Sequence, residues 1–112
     1  MTERTSKQWE PYFDEEEAEG IIGKHILVGV TRLDHQDEVI SREQFHGEII
    51  RANREEGIII RLAGSTEERW VPPDLSQLDP APPGKYRLKV SGELVVDPDL
   101  LATWTFYPPK DH

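Results

Sequence analysis

Histidine is the residue type in this chain with the widest range of chemistry. His25 and His46 would stand at the same end of a hairpin if the strands over 24–33 and 38–46 pair around the loop 34–37. Two neutral imidazoles and the nearby carboxylate of Glu48 are ligands that suit zinc or iron. However, the chain has no pair of histidines at i, i+2 or i, i+4, and histidines on strands often hydrogen-bond a neighbour instead. We expect no metal site, and metal binding through His25 and His46 is kept as an alternative.

Other groupings that carry catalysis are missing or fall in predicted turns. Acid–base chemistry needs two carboxylates in a dry pocket, whereas three pairs stand among polar residues: Glu55/Glu56, Glu67/Glu68 and Asp97/Asp99. Neither Ser65 nor Ser91 has the glycines of a nucleophile elbow, and Gly84-Lys85 lacks the rest of a phosphate-binding loop. The absence of cysteine excludes disulfides and thiol catalysis. We predict no catalytic residue and no cofactor, and we favour a non-catalytic protein over an enzyme.

Aromatic residues favour binding over catalysis. Trp70 is followed by Pro72-Pro73, and Trp104 is followed by Tyr-Pro-Pro at 107–109. Aromatic grooves on small β-barrels receive extended or proline-rich peptides. The competing interpretation, that both tryptophans are core residues, describes the commoner situation. Both stay candidates for contact with a partner.

A second group of binding candidates stands near the N-terminus, where aromatic residues precede a run of acids. Asp14 and Glu17 have the spacing of a capping box, so we predict a short helix over 15–22 that ends at Gly23. The aromatic side chains would either dock this helix or anchor a partner. The acidic run is either a solvated helix start or a docking surface for a basic protein. The predicted partner-binding residues are Trp9, Tyr12, Phe13, Asp14, Glu15, Glu16, Glu17, Trp70 and Trp104.

The net charge is concentrated at the same end of the chain. The 112 residues include 22 acids and 13 bases, for a formal charge of −9. Residues 1–20 contain seven of the acids and two of the bases. Such a balance argues against nucleic-acid binding, and no apolar run approaches the ~20 residues of a membrane span. We expect a protein partner, basic in character, with no nucleic acid and no membrane; the oligomeric state stays open.

The elements that must position these residues are mainly strands. Residues 26–30 are apolar on both faces and predict a central strand, while Gly47 predicts a bulge or bend. Prolines over 80–83 predict irregular chain, and 86–90 reads as a half-buried strand. We predict a mainly all-β fold: a small SH3-like barrel or partly open sandwich of about eight short antiparallel strands, with a short N-terminal helix.

The same pattern predicts how the chain is organised. Residues 1–8 are expected to form a disordered tail, 9–23 an acidic helical segment, and 24–109 a single β domain. The strands of that domain would hold the two histidines and the two tryptophans in place.

Three stretches carry a resemblance: Trp70-Val71-Pro72-Pro73-Asp74-Leu75, Ala81-Pro82-Pro83-Gly84-Lys85-Tyr86-Arg87-Leu88, and Val95-Val96-Asp97-Pro98-Asp99-Leu100 with Thr103-Trp104. Together with Phe45-His46-Gly47, they resemble a group of small uncharacterised bacterial proteins with an SH3-like β-barrel, over 24–107. The resemblance implies a bacterial cytoplasmic domain. It implies no activity, and no functional residue is transferred from it.

These observations predict a non-catalytic protein–protein interaction module. A more specific alternative is an immunity or inhibitor protein for a basic toxin or nuclease, since such a target carries a site built for phosphate. A second alternative is a metal-binding protein or enzyme that uses His25 and His46.

Overall fold

The computed structural model describes residues 11–108. Within them the chain forms one α-helix, α1, and eight strands, which confirms the mainly all-β prediction. The helix is α1 (Glu15–Ile21), and the strands are β1 (His25–Leu33), β2 (Val39–Asn53), β3 (Gly57–Leu62), β4 (Glu68–Val71), β5 (Leu78–Pro80), β6 (Lys85–Arg87), β7 (Leu94–Val96) and β8 (Leu100–Phe106). A 3-10 turn, Leu75–Gln77, precedes β5. The tail predicted for 1–8 lies outside the described residues.

The strands form two sheets. Six of them follow the order β4-β3-β2-β1-β8-β5, and β6 pairs with β7 in a separate two-stranded sheet. The sheet order ends at β4 and β5, so the six strands do not close into a barrel. The chain between β4 and β5 explains why the two edge strands do not pair: a 3-10 turn redirects it, and β5 itself has only three residues.

The prediction that all strands are antiparallel is wrong for one central pair. β1 pairs with β2 antiparallel but with β8 parallel. Two hydrogen bonds hold the starts of β1 and β8 side by side: Asp99 N donates to His25 O at 2.8 Å, and His25 N donates to Asp99 Oδ2 at 2.9 Å. Because both strands begin at the same end of the sheet, they run in the same direction.

The predicted central strand is covered on both faces. Ile26, Val28 and Val30 point into the main core cluster. Leu27 points the other way and packs with Leu88 and Val95 of the β6–β7 region. Successive strand residues face opposite sides of a sheet, so an apolar run such as 26–30 needs cover on each side, and the small second sheet supplies it.

Helix α1 begins at its predicted cap. Asp14 Oδ1 accepts from the backbone N–H groups of Glu16 at 2.8 Å and Glu17 at 3.1 Å. Phe13 and Ala18, on either side of this start, are both buried in the main cluster. The helix therefore packs against the sheet through apolar residues and leaves its acids in water, as an amphipathic surface helix does.

Two sequence expectations for the second half need correction. The proline stretch contains β5, whose Pro80 pairs with Leu100 at the edge of the sheet, where a missing N–H is tolerated. The strand expected over 86–90 ends at Arg87. Leu88 N donates to Glu93 O at 2.8 Å and closes a hairpin turn, and Val90 is consequently 61% exposed.

Gly47 does not mark a bulge. It lies inside the continuous strand β2, and the register shift falls between Ile49 and Arg51. A Cβ at Gly47 would overlap the carbonyl oxygen of Arg61 on β3. The glycine therefore permits close contact between two backbones.

Candidate functional site

A groove of about 710 Å³ lies between β4 and β8. Three strands separate β4 from β8 in the sheet order, so the sheet must curl to bring both to one groove. The chain that follows β4 completes the wall. The lining residues are Pro11, Trp70, Pro72, Pro73, Asp74, Gln77, Thr103, Trp104, Thr105 and Phe106.

The two tryptophans predicted to line a groove do share this one, in different positions. Trp104 is only 7% exposed and belongs to the main core cluster. Trp70 is 55% exposed. The core interpretation is therefore right for Trp104, which also lines the groove. The groove interpretation is right for Trp70, whose exposed side chain forms part of the groove wall.

Gly57, the first residue of β3, supports the position of the Trp70 indole. Its backbone has a φ of +88°, a region that favours glycine. A Cβ at this position would lie 2.5 Å from Trp70 Nε1. The glycine therefore leaves room for the edge of the indole.

Tyr12 joins the groove to the acidic start of α1. Its carbonyl accepts from Leu75 N at 2.7 Å, and its N–H donates to Asp74 Oδ1 at 3.3 Å. Its hydroxyl donates to Glu17 Oε2 at 3.1 Å. That hydrogen bond and the neighbouring negative charges raise the pKa of Tyr12, so the phenol stays a neutral donor. The acidic turn is consequently held at one end of the groove.

The other predicted N-terminal residues have separate roles. Phe13 is buried, with the Arg54 guanidinium 5.2 Å from its ring centroid, so it docks the helix and is not an exposed anchor. Asp14 caps the helix. Glu15, Glu16 and Glu17 are exposed. Trp9 lies outside the described residues.

Trp70 also lines a smaller cavity of about 290 Å³. Glu43 contacts two arginines there, Arg69 at 2.7 Å and Arg32 at 3.5 Å. The hydrogen bond from Arg69 is the main cause that lowers the pKa of Glu43, with Arg32 adding to it. Arg69 also lies over the Phe45 ring, 4.4 Å from its centroid. The single carboxylate of Glu43 offsets one of these two positive charges, so the cluster keeps a net charge of +1, and no motif in the sequence indicates it.

The histidines predicted to stand near each other do meet. His25 Nε2 lies 2.8 Å from His46 Nδ1, and His46 Nε2 lies 2.7 Å from Glu93 Oε2. The His46 side chain is 12% exposed. Glu93, in the turn between β6 and β7, was not among the sequence candidates because it is 47 residues away from His46. We call this chain of three side chains the histidine relay.

Two consecutive side-chain hydrogen bonds connect the histidine relay. A hydrogen bond between two imidazole nitrogens needs one donor and one acceptor, and the Glu93 carboxylate orients His46 by accepting from its other nitrogen. Burial lowers the pKa of His25, with the charge of His46 acting in the same direction and Asp99 acting against both. A neutral His25 is therefore the form that this site favours.

The third candidate ligand is engaged elsewhere. Glu48 accepts from Arg61 at 2.6 Å. Among residues 11–108, no group of three or more His, Cys, Asp or Glu side chains is placed to hold a metal ion. The two facing imidazole nitrogens lie 2.8 Å apart, which is the geometry of a hydrogen bond.

Comparison of the chain with protein-family models, with curated proteins and with solved structures finds no match. The resemblance to small bacterial proteins therefore stays a prediction. In the part of the chain that the structure describes, no helix is long and apolar enough to cross a membrane.

Proposed function

We propose that this protein is a non-catalytic interaction module, and that the groove between β4 and β8 binds an extended, basic segment of a protein partner. The observation that carries the proposal is the position of Trp70, a large aromatic side chain that stays 55% exposed on the wall of an apolar groove. Tryptophan is enriched among the residues that dominate binding energy at interfaces.

The groove has the composition of a peptide site. An indole, two prolines and a second tryptophan line it, with a few polar groups between them. Such surfaces receive extended or proline-containing segments, because a proline ring packs flat against an indole. An SH3-like origin of this curled sheet, and a bacterial cytoplasmic setting, belong to the same proposal.

Charge favours a basic ligand. Among the described residues that line the groove, only Asp74 carries a charge. Tyr12 links Asp74 to Glu17, so the acidic turn of α1 continues from the end of the groove. Electrostatic complementarity of this kind accelerates association and fixes orientation more than it raises affinity. An immunity or inhibitor protein for a basic toxin or nuclease would be one specific form of the module, and metal binding by His25 and His46 remains a separate prediction.

The test is a binding titration with two labelled, capped peptides of about eight residues, one alternating valine with lysine and one alternating proline with lysine. We expect at least one to bind, and Trp70→Ala to weaken that binding by about tenfold or more. Val90→Ala is the control, because Val90 is 61% exposed but lies in the turn between β6 and β7 and does not line the groove. Absence of binding by both peptides, or equal weakening by both variants, would contradict the proposal.

A further inference from the structure

One edge of β8 is only partly paired. On one side, β8 pairs with β1 from Leu100 to Phe106. On the other side, β5 pairs with Leu100, Leu101 and Ala102 and then stops. Among the residues that the structure describes, 103–106 therefore have no strand partner on this second side.

The groove follows this unpaired edge. Four consecutive residues of β8, 103–106, line it. Successive side chains on a strand point to opposite faces of the sheet, so a cavity over one face would touch only alternate residues. A cavity that touches all four runs along the edge of the strand, where backbone N–H and C=O groups are available.

The chain opposite this edge cannot close the gap. Pro72 and Pro73 begin the segment that passes there, and proline has no N–H to donate to a strand partner. Asp74 then accepts from Ser76 N at 3.1 Å and from Ser76 Oγ at 2.6 Å. These bonds stabilise the 3-10 turn Leu75–Gln77, which delays the start of β5 until Leu78. The 3-10 turn lies beside β8 but forms no strand pairing with it, so specific residues leave 103–106 unpaired on this side.

We infer that the partner segment binds as an added β-strand along residues 103–106 of β8. This inference rests on the proposed function and names its mode of binding. Backbone hydrogen bonds to β8 would supply affinity, as in other cases of β-strand addition. Alternate side chains of the ligand would contact Trp70 and Trp104, and the others would extend towards solvent and the acidic turn of α1. The occupant is accordingly an extended segment of another protein, with alternating apolar and basic residues.

The test uses the valine–lysine peptide and two versions of it, each with N-methyl groups on one of the two alternate sets of amides. An N-methyl group removes a hydrogen-bond donor and blocks strand pairing on that edge. We expect one version to bind about tenfold or more weakly than the parent peptide, since it loses several backbone hydrogen bonds. The other version, methylated on the opposite edge, is the matched control.

Hydrogen exchange of the complex gives an independent readout. We expect the parent peptide to slow exchange by about tenfold or more at alternate amides within 103–106, because N–H groups on a strand point alternately to its two sides. Amides of β1, which are paired with β2 and β8 in the free protein, serve as the reference and should not change.

The outcomes separate the two proposals. If the parent peptide binds in a Trp70-dependent way, but neither methylated version is weaker and the amides of 103–106 are unchanged, strand addition is wrong and groove binding stands. If neither the valine–lysine nor the proline–lysine peptide binds, the proposed function itself fails; if only the proline–lysine peptide binds, strand addition is wrong and groove binding stands. If sedimentation of the free protein shows a dimer in which these amides are already protected, the edge is occupied by a second copy, and the inference of a separate partner is overturned.

Discussion

The groove and the histidine relay lie on the same sheet but differ in whether their polar groups already have hydrogen-bond partners. The groove lies where the sheet is unpaired, between β4 and β8, and leaves an indole and a strand edge open. The histidine relay lies where the six-stranded sheet meets the β6–β7 hairpin, and its hydrogen bonds run from one side chain to the next. Among the described residues, every buried side-chain nitrogen or oxygen has a partner.

This difference predicts that the histidine relay contributes to stability and that the groove serves binding. A site whose polar groups satisfy one another holds two parts of the fold together, and breaking it should cost folding free energy. A surface with an exposed aromatic residue and an open strand edge contributes little to folding and has its hydrogen-bonding capacity left for a ligand. The variants below test that separation, from the largest expected effect to the smallest.

The largest effect is expected within the groove itself, between its two tryptophans. Trp104→Ala should lower the free energy of unfolding by about 4 kcal/mol, because it removes a buried ring from the core. Trp70→Ala should change it by less than about 1 kcal/mol, because that side chain is exposed. Urea denaturation of both variants measures the contrast. Equal losses would mean that both tryptophans are structural, and Trp70 would no longer qualify as a binding residue.

The next largest effect is expected at Gly47, where two backbones lie in close contact. Gly47→Ala should lower the free energy of unfolding by about 3 kcal/mol, because the new methyl group would overlap the Arg61 carbonyl oxygen. Gly29→Ala is the matched control on the neighbouring strand, since nothing lies within 4 Å of a Cβ there. Thermal or urea unfolding would measure both. A loss as large for Gly29→Ala would show that the contact with Arg61 is not the cause.

The histidine relay should affect stability without affecting binding. His46→Ala should lower the free energy of unfolding by about 2 kcal/mol, because it leaves His25 and Glu93 without their shared partner. His35→Ala, in the exposed loop between β1 and β2, should change it by less than about 0.5 kcal/mol. Peptide affinity of folded His46→Ala should equal that of the unaltered protein. A large loss of affinity would indicate that the histidine relay and the groove belong to one functional site.

The smallest effect expected is a pH dependence that arises from His25. Because burial lowers its pKa from the ordinary value of 6.5, the unfolded chain takes up the proton more readily than the folded protein. Stability should therefore be complete above that value and fall as the pH decreases below it. The groups that set the shift are His46, which lowers the pKa further, and Asp99, which raises it; Glu93 contacts His46 on the far side.

Thermal unfolding between about pH 7.5 and pH 5 would measure this dependence. His25→Gln should give a flatter profile over the same range, since the titrating group is gone. Superimposable profiles for the two proteins would exclude His25 as the source and would leave the histidine relay without a measurable proton linkage.

The local elements could be predicted from the sequence, because their causes act over a few residues. Alternation at 100–106 predicted β8, the apolar run at 26–30 predicted a strand covered on both faces, and Asp14 predicted the start of α1. The meeting of His25 with His46 followed from the register of one hairpin. Each of these depends on spacing along a single strand, helix or turn, and such spacing is written in the order of the residues.

The arrangement of those elements could not be predicted in the same way. The parallel pairing of β1 with β8, the arrival of Glu93 at His46, and the division of Trp70 and Trp104 between surface and core join residues far apart in the chain. They depend on how the sheet curls and where β5 stops. Sequence patterns show which face of a strand is apolar but not which distant segment covers it, so the tertiary structure alone decided where the groove lies and which strand edge it leaves open.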